Sequence, residues 1–267
     1  MSSQAEARAE AGALMPALAI GAAMVSTYAG AAFAKQLFPM VGSEGVVALR
    51  VGLSALLLSA FARPWRALPP RADIPNLLLY GLALGCMNLL IYRAFARIPI
   101  GIAVSIEVMG PLAVVLLPLR AGFGAAALDP LGVACAAGAA FCWALYIVFG
   151  KRASQAAGAG TVAWGMLAAS IFIVPIGAVH AGSTLLSPLV LAAGLAVAVL
   201  SSAAPYTLEM IALRRLPRRV FGILVSASPA VAALAGFAVL GERLSGMQWT
   251  GIGLVILACG ATAASAS

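Results

Sequence analysis

The chain has 267 residues, of which 63% are hydrophobic and only 9% charged, and its mean hydropathy is +1.07. Soluble domains carry about 25% charged residues, so this composition excludes one and calls for a bilayer as solvent. The formal charge of +8 does not point to nucleic acid, because the sixteen basic residues stand singly or in short clusters between apolar runs, where Lys and Arg hold loops in the cytoplasm.

In chain order, a polar leader over 1–10 precedes a first expected span at 11–33, closed by Lys35. That run is too long for the apolar core of a cleaved signal, so it is expected to stay in the membrane. A second span is expected at 43–61, with Arg50 set into it. The loop after it holds Arg63, Arg66 and Arg71 among Pro64, Pro69 and Pro70, a basic helix-breaking stretch before a third span at 76–95. The fourth, at 97–119, carries Glu107 near its middle, with Gly110 and Pro111 just after it. A charge at that depth costs about 2.5–3.5 kcal/mol on insertion scales, so Glu107 must face the bundle or a wet cavity. It reads either as the centre of a transport site or as an acid paired inside the bundle. After the short Gly/Ala-rich stretch 120–129, further spans are expected at 130–150, 161–181, 188–213, 220–240 and 249–265, giving an all-α integral membrane protein of nine recognisable spans.

An internal repeat divides the chain into 1–129 and 130–267. Arg97-Ile98-Pro99 followed by Pro111 matches Arg215-Leu216-Pro217 followed by Pro229, with the same spacing in each half. The same offset pairs Asn88 with Tyr206. Two halves with a site between them is a common secondary-transporter design. The charges, however, resist nine crossings, which would leave six basic loop residues inside and nine outside. One more crossing between Arg120 and Pro130 would give eleven inside and four outside. A helix needs about twenty residues to span, far more than that stretch offers, so the first half lacks the counterpart of the last helix of the second.

Enzymatic chemistry has little support. His180 is the only histidine and has no H-E-x-x-H partner, and there is no Walker loop and no G-x-S-x-G elbow. Cys86, Cys135, Cys142 and Cys259 sit in apolar spans without C-x-x-C spacing and read as packing residues, so neither a metal nor a cofactor is expected. Gly81 and Gly85 form a small-residue seam for close helix approach. Lys35 reads as an interfacial anchor, and Arg93 with Arg97 as an interface pair on one helical face.

The strings FAKQLFPMVGSEGVVALRVGL, PIGIAVSIEVMGPLAVVL, FCWALYIVFGKRA and PYTLEMIALRRLPRRVFGILVSASPAVAALAGFAVLGE resemble the threonine/homoserine exporters of the EamA-type branch of the drug/metabolite transporter superfamily. The resemblance covers nearly the whole chain. It implies a multi-pass bacterial inner-membrane exporter with ten helices in two inverted five-helix repeats, both termini cytoplasmic, driven by the proton gradient. Only RAGFGAAALD stands where the family has its fifth helix. The rival readings are an exporter of other metabolites or lipophilic cations, and a truncated relative that does not transport.

An exporter of threonine or homoserine must hold a zwitterion. Glu107 and Glu209 are candidates for its ammonium and for the coupling proton, and Arg50 for its carboxylate. Arg50 could equally be the counter-ion of Glu107. Asn88 with Tyr92, Tyr206 with Glu209, and Trp143 with Tyr146 share helix faces and complete the expected wall. Helix breaks are expected at Gly110, Pro111, Pro205 and Pro229. The expected partners are a small-molecule substrate, protons and the lipid bilayer, with no nucleic acid; oligomeric state is open.

Overall fold

The structure is a computed structural model that describes residues 2–66, 69–109, 128–157, 160–205, 208 and 218–265. Every regular element among them is helical. They are α1 (Ser2–Gln36), α2 (Phe38–Ala62), α3 (Ile74–Phe95), α4 (Ile100–Val108), α5 (Pro130–Ala157), α6 (Thr161–Ala181), α7 (Pro188–Ala198), α8 (Arg218–Val225), α9 (Ser228–Leu240) and α10 (Gly246–Ser265). A π-helical turn, Val199–Ala203, prolongs α7.

Among the described residues, seven stretches are long and apolar enough to cross a membrane, including Met15–Gln36, Phe38–Ala62, Pro130–Ser154 and Val220–Leu240. The last of these joins α8 and α9 across a kink before Pro229. Of the expected spans 97–119 and 188–213, the described parts are 97–109, which hold α4, and 188–205 with Leu208. The second span begins at Phe38, five residues before the expected start, and Gly42 at φ +68° kinks it just before Ser43. At its other end Arg63 turns left-handed at φ 45° and gives its N–H to the Ser59 carbonyl, and Pro64 follows to stop the helix.

Helix α4 is the centre of the bundle. Its sequence IGIAVSIEV is apolar on every side before Glu107, and Ile100 to Ile106 are all buried. It approaches α9 so closely that a Cβ on Gly101 would lie 2.5 Å from that of Ala233. Around this centre α2 packs on α6, and α3 on both α5 and α6. At the α3/α6 crossing a Cβ on Gly81 would strike Ala168 and come within 2.9 Å of the Gly165 carbonyl oxygen. Gly81→Ala is therefore expected to destabilise the protein by about 1–3 kcal/mol, seen as a lower unfolding midpoint in detergent. Gly253→Ala, where nothing lies within 4 Å, is the matched control and should leave the midpoint unchanged.

Polar contacts fix which helix ends lie together. Lys35 Nζ pairs with Glu242 at 2.7 Å, Arg93 Nε with Glu44 at 2.8 Å and Arg97 Nη1 with Asp129 at 2.9 Å. The start of α5 thus sits against the α3–α4 turn, where Gly132 packs on Arg97 and Ile98. At the opposite end Gly160 packs on Pro64, and Thr161 bonds the Ala153 carbonyl. Lys151 and Arg152 therefore share an end with Arg63, Arg66 and Arg71, and Arg218 and Arg219 open α8 there. That leaves Lys35, Arg93, Arg97 and Arg243 at the other end, so among the described residues eight basic positions, counting Arg8 near the start of α1, face four. By the positive-inside rule the richer end is cytoplasmic, the inner end, and the poorer one is the outer end.

This arrangement overturns nine alternating crossings, which would have set Lys151 and Arg152 beside Lys35. It places the ends as a further crossing requires; the stretch in question, 110–127, lies outside the described residues. Two smaller expectations are also corrected. Lys35 pairs with Glu242 of the loop after α9, and Arg93 and Arg97 pair with different acids, Glu44 on α2 and Asp129 just before α5. The Arg97 guanidinium bonded to Asp129 holds its carboxyl below the usual carboxylate range. An acid so depressed keeps its charge as pH falls through weakly acid values, so this pair gives transport no pH dependence near neutrality.

Candidate functional site: a cavity between the two halves

Arg50 lies about seven residues beyond Ser43, just past the kink in its crossing, and Glu107 about seven from the start of α4. At 1.5 Å per residue both stand about 10 Å deep. They line one cavity of about 400 Å³. Helix α1 supplies Thr27, Tyr28 and Ala31 to its wall, α3 supplies Asn88, Tyr92 and Phe95, and α5 supplies Trp143 and Tyr146. Further along the chain, Ser201 and Pro205 from the end of α7, Phe221 and Val225 from α8, and Ser228 close the wall, so that these together with α5 line the cavity from the second half.

Arg50 is held by neutral groups. Its Nη1 donates to Asn88 Oδ1 at 2.6 Å, and its Nη2 donates to the Ser201 carbonyl at 3.1 Å. Its Cζ lies 5.2 Å from the centre of the Tyr92 ring, a cation–π contact. Asn88 is itself oriented, because its Nδ2 donates to the Leu84 carbonyl at 2.8 Å, which leaves Oδ1 for the arginine. The Tyr92 ring is fixed between Phe38 and Phe95, with centroids 6.2 and 5.4 Å away.

Why a carbonyl is free for Arg50 follows from the sequence. Pro205 has no N–H, so the carbonyl four residues before it, that of Ser201, loses its helical partner. The π turn frees its neighbour as well, because the Ala204 N–H bonds Val199 and not Leu200. The chain uses both: Ser26 Oγ donates to the Leu200 carbonyl at 2.6 Å, and Arg50 takes Ser201. A broken helix of the second half thereby anchors a cation of the first.

Among the described residues, no carboxylate lies within ion-pair distance of Arg50, and its Nε is buried without a partner. Glu107, which shares the cavity and feels the charge of Arg50, is not bonded to it. Two opposite charges are thus exposed to the same space without neutralising each other by contact. The hydroxyl of Tyr92 is also buried without a partner, although the residue is only 1% exposed.

The structure brings together Glu107, Arg50, Asn88, Tyr92, Trp143, Tyr146 and Pro205 around this cavity. Tyr146 also stacks on Tyr80, with ring centroids 5.0 Å apart. Pro229 stands outside it, in the first turn of α9, where Ser226 and Ser228 bond the Ile223 and Val225 carbonyls. Tyr206, Glu209, Gly110 and Pro111 lie outside the described residues. Sequence reasoning missed Ser201, Thr27 and Phe221. For Ser201 a signal existed, the proline four residues on.

The sequence pattern of the EamA-like transporter family matches residues 130–263, half of the chain and all of α5 to α9. The chain belongs to this family. Its resemblance to relatives extends well beyond that half. The threonine/homoserine exporter RhtA of Salmonella typhimurium (strain SL1344) is 46% identical over 264 residues, covering 91% of this chain and 90% of the relative. The protein of the same name from Escherichia coli (strain K12) is 44% identical over the same shares. A crystal structure at 20% identity superposes with a TM-score of 0.56, covering 96% of this chain and 97% of its own, which shows a common fold. These EamA-like relatives are transporters, and the chain is a multi-pass membrane transporter, not an enzyme.

Proposed function

We propose that this transporter exports small amino acids of the threonine/homoserine type across a bacterial inner membrane in exchange for protons. The observation that carries the reading is the unneutralised Arg50, fixed by Asn88, Ser201 and Tyr92 in a cavity that also holds Glu107. A zwitterion needs one fixed cation and one fixed anion within its own length. Arg50 takes the carboxylate, and Glu107 takes the ammonium or, in its absence, a proton. The names of relatives at 44–46% identity support the substrate class.

In this reading Asn88 positions Arg50 and does not touch the substrate, while Trp143 and Tyr146 wall the cavity. The unpaired Tyr92 hydroxyl answers the hydroxyl of a threonine or homoserine side chain. The expected binding roles of Tyr206 and Glu209, and the division into two helical repeats over 1–129 and 130–267, belong to the same reading. Asn88→Asp would place a carboxylate where an oxygen now lies 2.6 Å from Arg50. It is expected to raise the KM for the exported amino acid about tenfold or more, with insertion unchanged, because the arginine then has an internal partner.

The direct test is efflux of labelled homoserine and threonine from preloaded cells making this chain, beside matched cells that lack it, with membrane abundance measured in both. Extra efflux that collapses with an uncoupler is expected. No extra efflux from a well-inserted protein would overturn the reading.

A further inference from the structure

The outer end of the cavity is shut by contacts that the transport site itself does not use. Ala31 and Phe95 are its outermost described wall residues on α1 and α3. Beyond them Leu37, Ile98 and Ile100 are buried, and Lys35 stands one helical turn after Ala31 on the same face of α1. There its ammonium meets Glu242 Oε1 at 2.7 Å, from a loop 207 residues away in sequence. The other oxygen of Glu242 accepts the Ile100 N–H at 3.0 Å, the first amide of α4. One carboxylate of the second half thus ties down both the end of α1 and the helix that carries Glu107. Gln36 Nε2 adds a parallel tie to the Val239 carbonyl at 3.2 Å.

We propose that Lys35 and Glu242 form the outer gate of the cavity, a pair that must part for the transported molecule to leave the cell. The pair suits a gate. Its side chains are 22% and 14% exposed, so water can take over both charges when it opens, and a pair of this kind holds only weakly. Separation of Glu242 removes one tie to α1 and one to α4 together, whereas the Arg93–Glu44 and Arg97–Asp129 pairs touch neither α1 nor Glu242. The chain also protects the geometry of the carboxylate. Gly241, at φ +69°, turns it back over α9, and a Cβ on Gly236 would lie 2.5 Å from Glu242 Oε2.

The test reads access, not flux. In a chain whose four cysteines are replaced by alanine, Thr27→Cys places a thiol on the cavity wall, and right-side-out membrane vesicles are exposed to a membrane-impermeant methanethiosulfonate. Glu242→Gln is expected to speed labelling about fivefold, the scale of a partly exposed ion pair. Gly236→Ala, which displaces the carboxylate while leaving both charges in the chain, is expected to do the same and decides the matter if Glu242→Gln fails to insert. Lys35→Glu combined with Glu242→Lys is expected to slow labelling part of the way back, because the ion pair re-forms while a lysine at 242 cannot accept the Ile100 N–H. Unchanged labelling in inserted Glu242→Gln or Gly236→Ala protein overturns the gate, and so does fast labelling that the exchanged pair fails to slow. Since no amino acid is present, a failure here is distinguishable from a failure of the exporter reading.

Discussion

Arg50→Gln is expected to cut efflux of threonine and homoserine about a hundredfold, with the protein still inserted at normal abundance. The reason lies in what holds the arginine. Asn88 and the Ser201 carbonyl are neutral, and the Tyr92 face adds attraction without charge neutralisation, so the guanidinium keeps its full charge for a ligand. A hydrogen bond to a charged group contributes about 1.5–3 kcal/mol, and a two-pronged contact to a carboxylate lies at the upper end of that range. Loss of about 3 kcal/mol of binding corresponds to roughly a hundredfold at subsaturating substrate. Arg50→Lys should rescue only in part, because one ammonium cannot span Asn88, Ser201 and the substrate as a planar fork does. Efflux of labelled homoserine, normalised to membrane abundance, measures both variants. An exporter of lipophilic cations would behave in the opposite way, since removing a cation from its cavity would leave transport intact or improve it.

Much of this arrangement is legible in the sequence, and what is not has physical causes. Hydropathy places the spans, because a helix that crosses a bilayer must be apolar along its whole length whatever it packs against. Arg63 ends α2 within a residue or so of the expected 61, while its start at Phe38 lies ahead of the expected 43 because the helix runs on through a kink at Gly42. The charges call for Lys151 and Arg152 to share a side with Arg63, Arg66 and Arg71, and the fold sets them at one end, because a loop carries that information locally. Pairing is different. Lys35 and Glu242 look like ordinary loop charges because their meeting depends on α1, α4 and α9 converging, which no local pattern records. Arg50 is recognisable from its depth, but its partners are not. Ser201 is the instructive case: Pro205 reads as a break in the helix, and the carbonyl it leaves unpaired is the one that Arg50 takes.

Glu107→Gln should abolish the coupling of export to protons, and its effect on charge movement gives the sharper test. In the proposed cycle the empty site holds one positive and one negative charge, Arg50 and Glu107. A zwitterion adds no net charge, so the outward, loaded step is electrically neutral. On the return step Glu107 carries a proton, which leaves Arg50 uncompensated and sends one unit of positive charge inward. An inside-negative potential then favours the cycle, by up to about 2.3 kcal/mol per 100 mV if the charge crosses the whole field. Glutamine is close in shape to protonated glutamate but cannot release a proton. In the Glu107→Gln variant the site is positive in both directions, so the loaded step now moves charge outward against the potential and no proton returns. In proteoliposomes with an imposed potassium diffusion potential, the wild-type protein should therefore export faster when the cytoplasmic side is negative. The variant should lose its response to a pH gradient and also lose the net drive from the potential, because the positive charge it carries outward when loaded returns inward when empty. If the variant keeps full flux and its pH dependence, Glu107 is not the coupling acid. If it loses affinity but keeps pH dependence, Glu107 binds only the ammonium and another acid, Glu209 foremost, carries the proton.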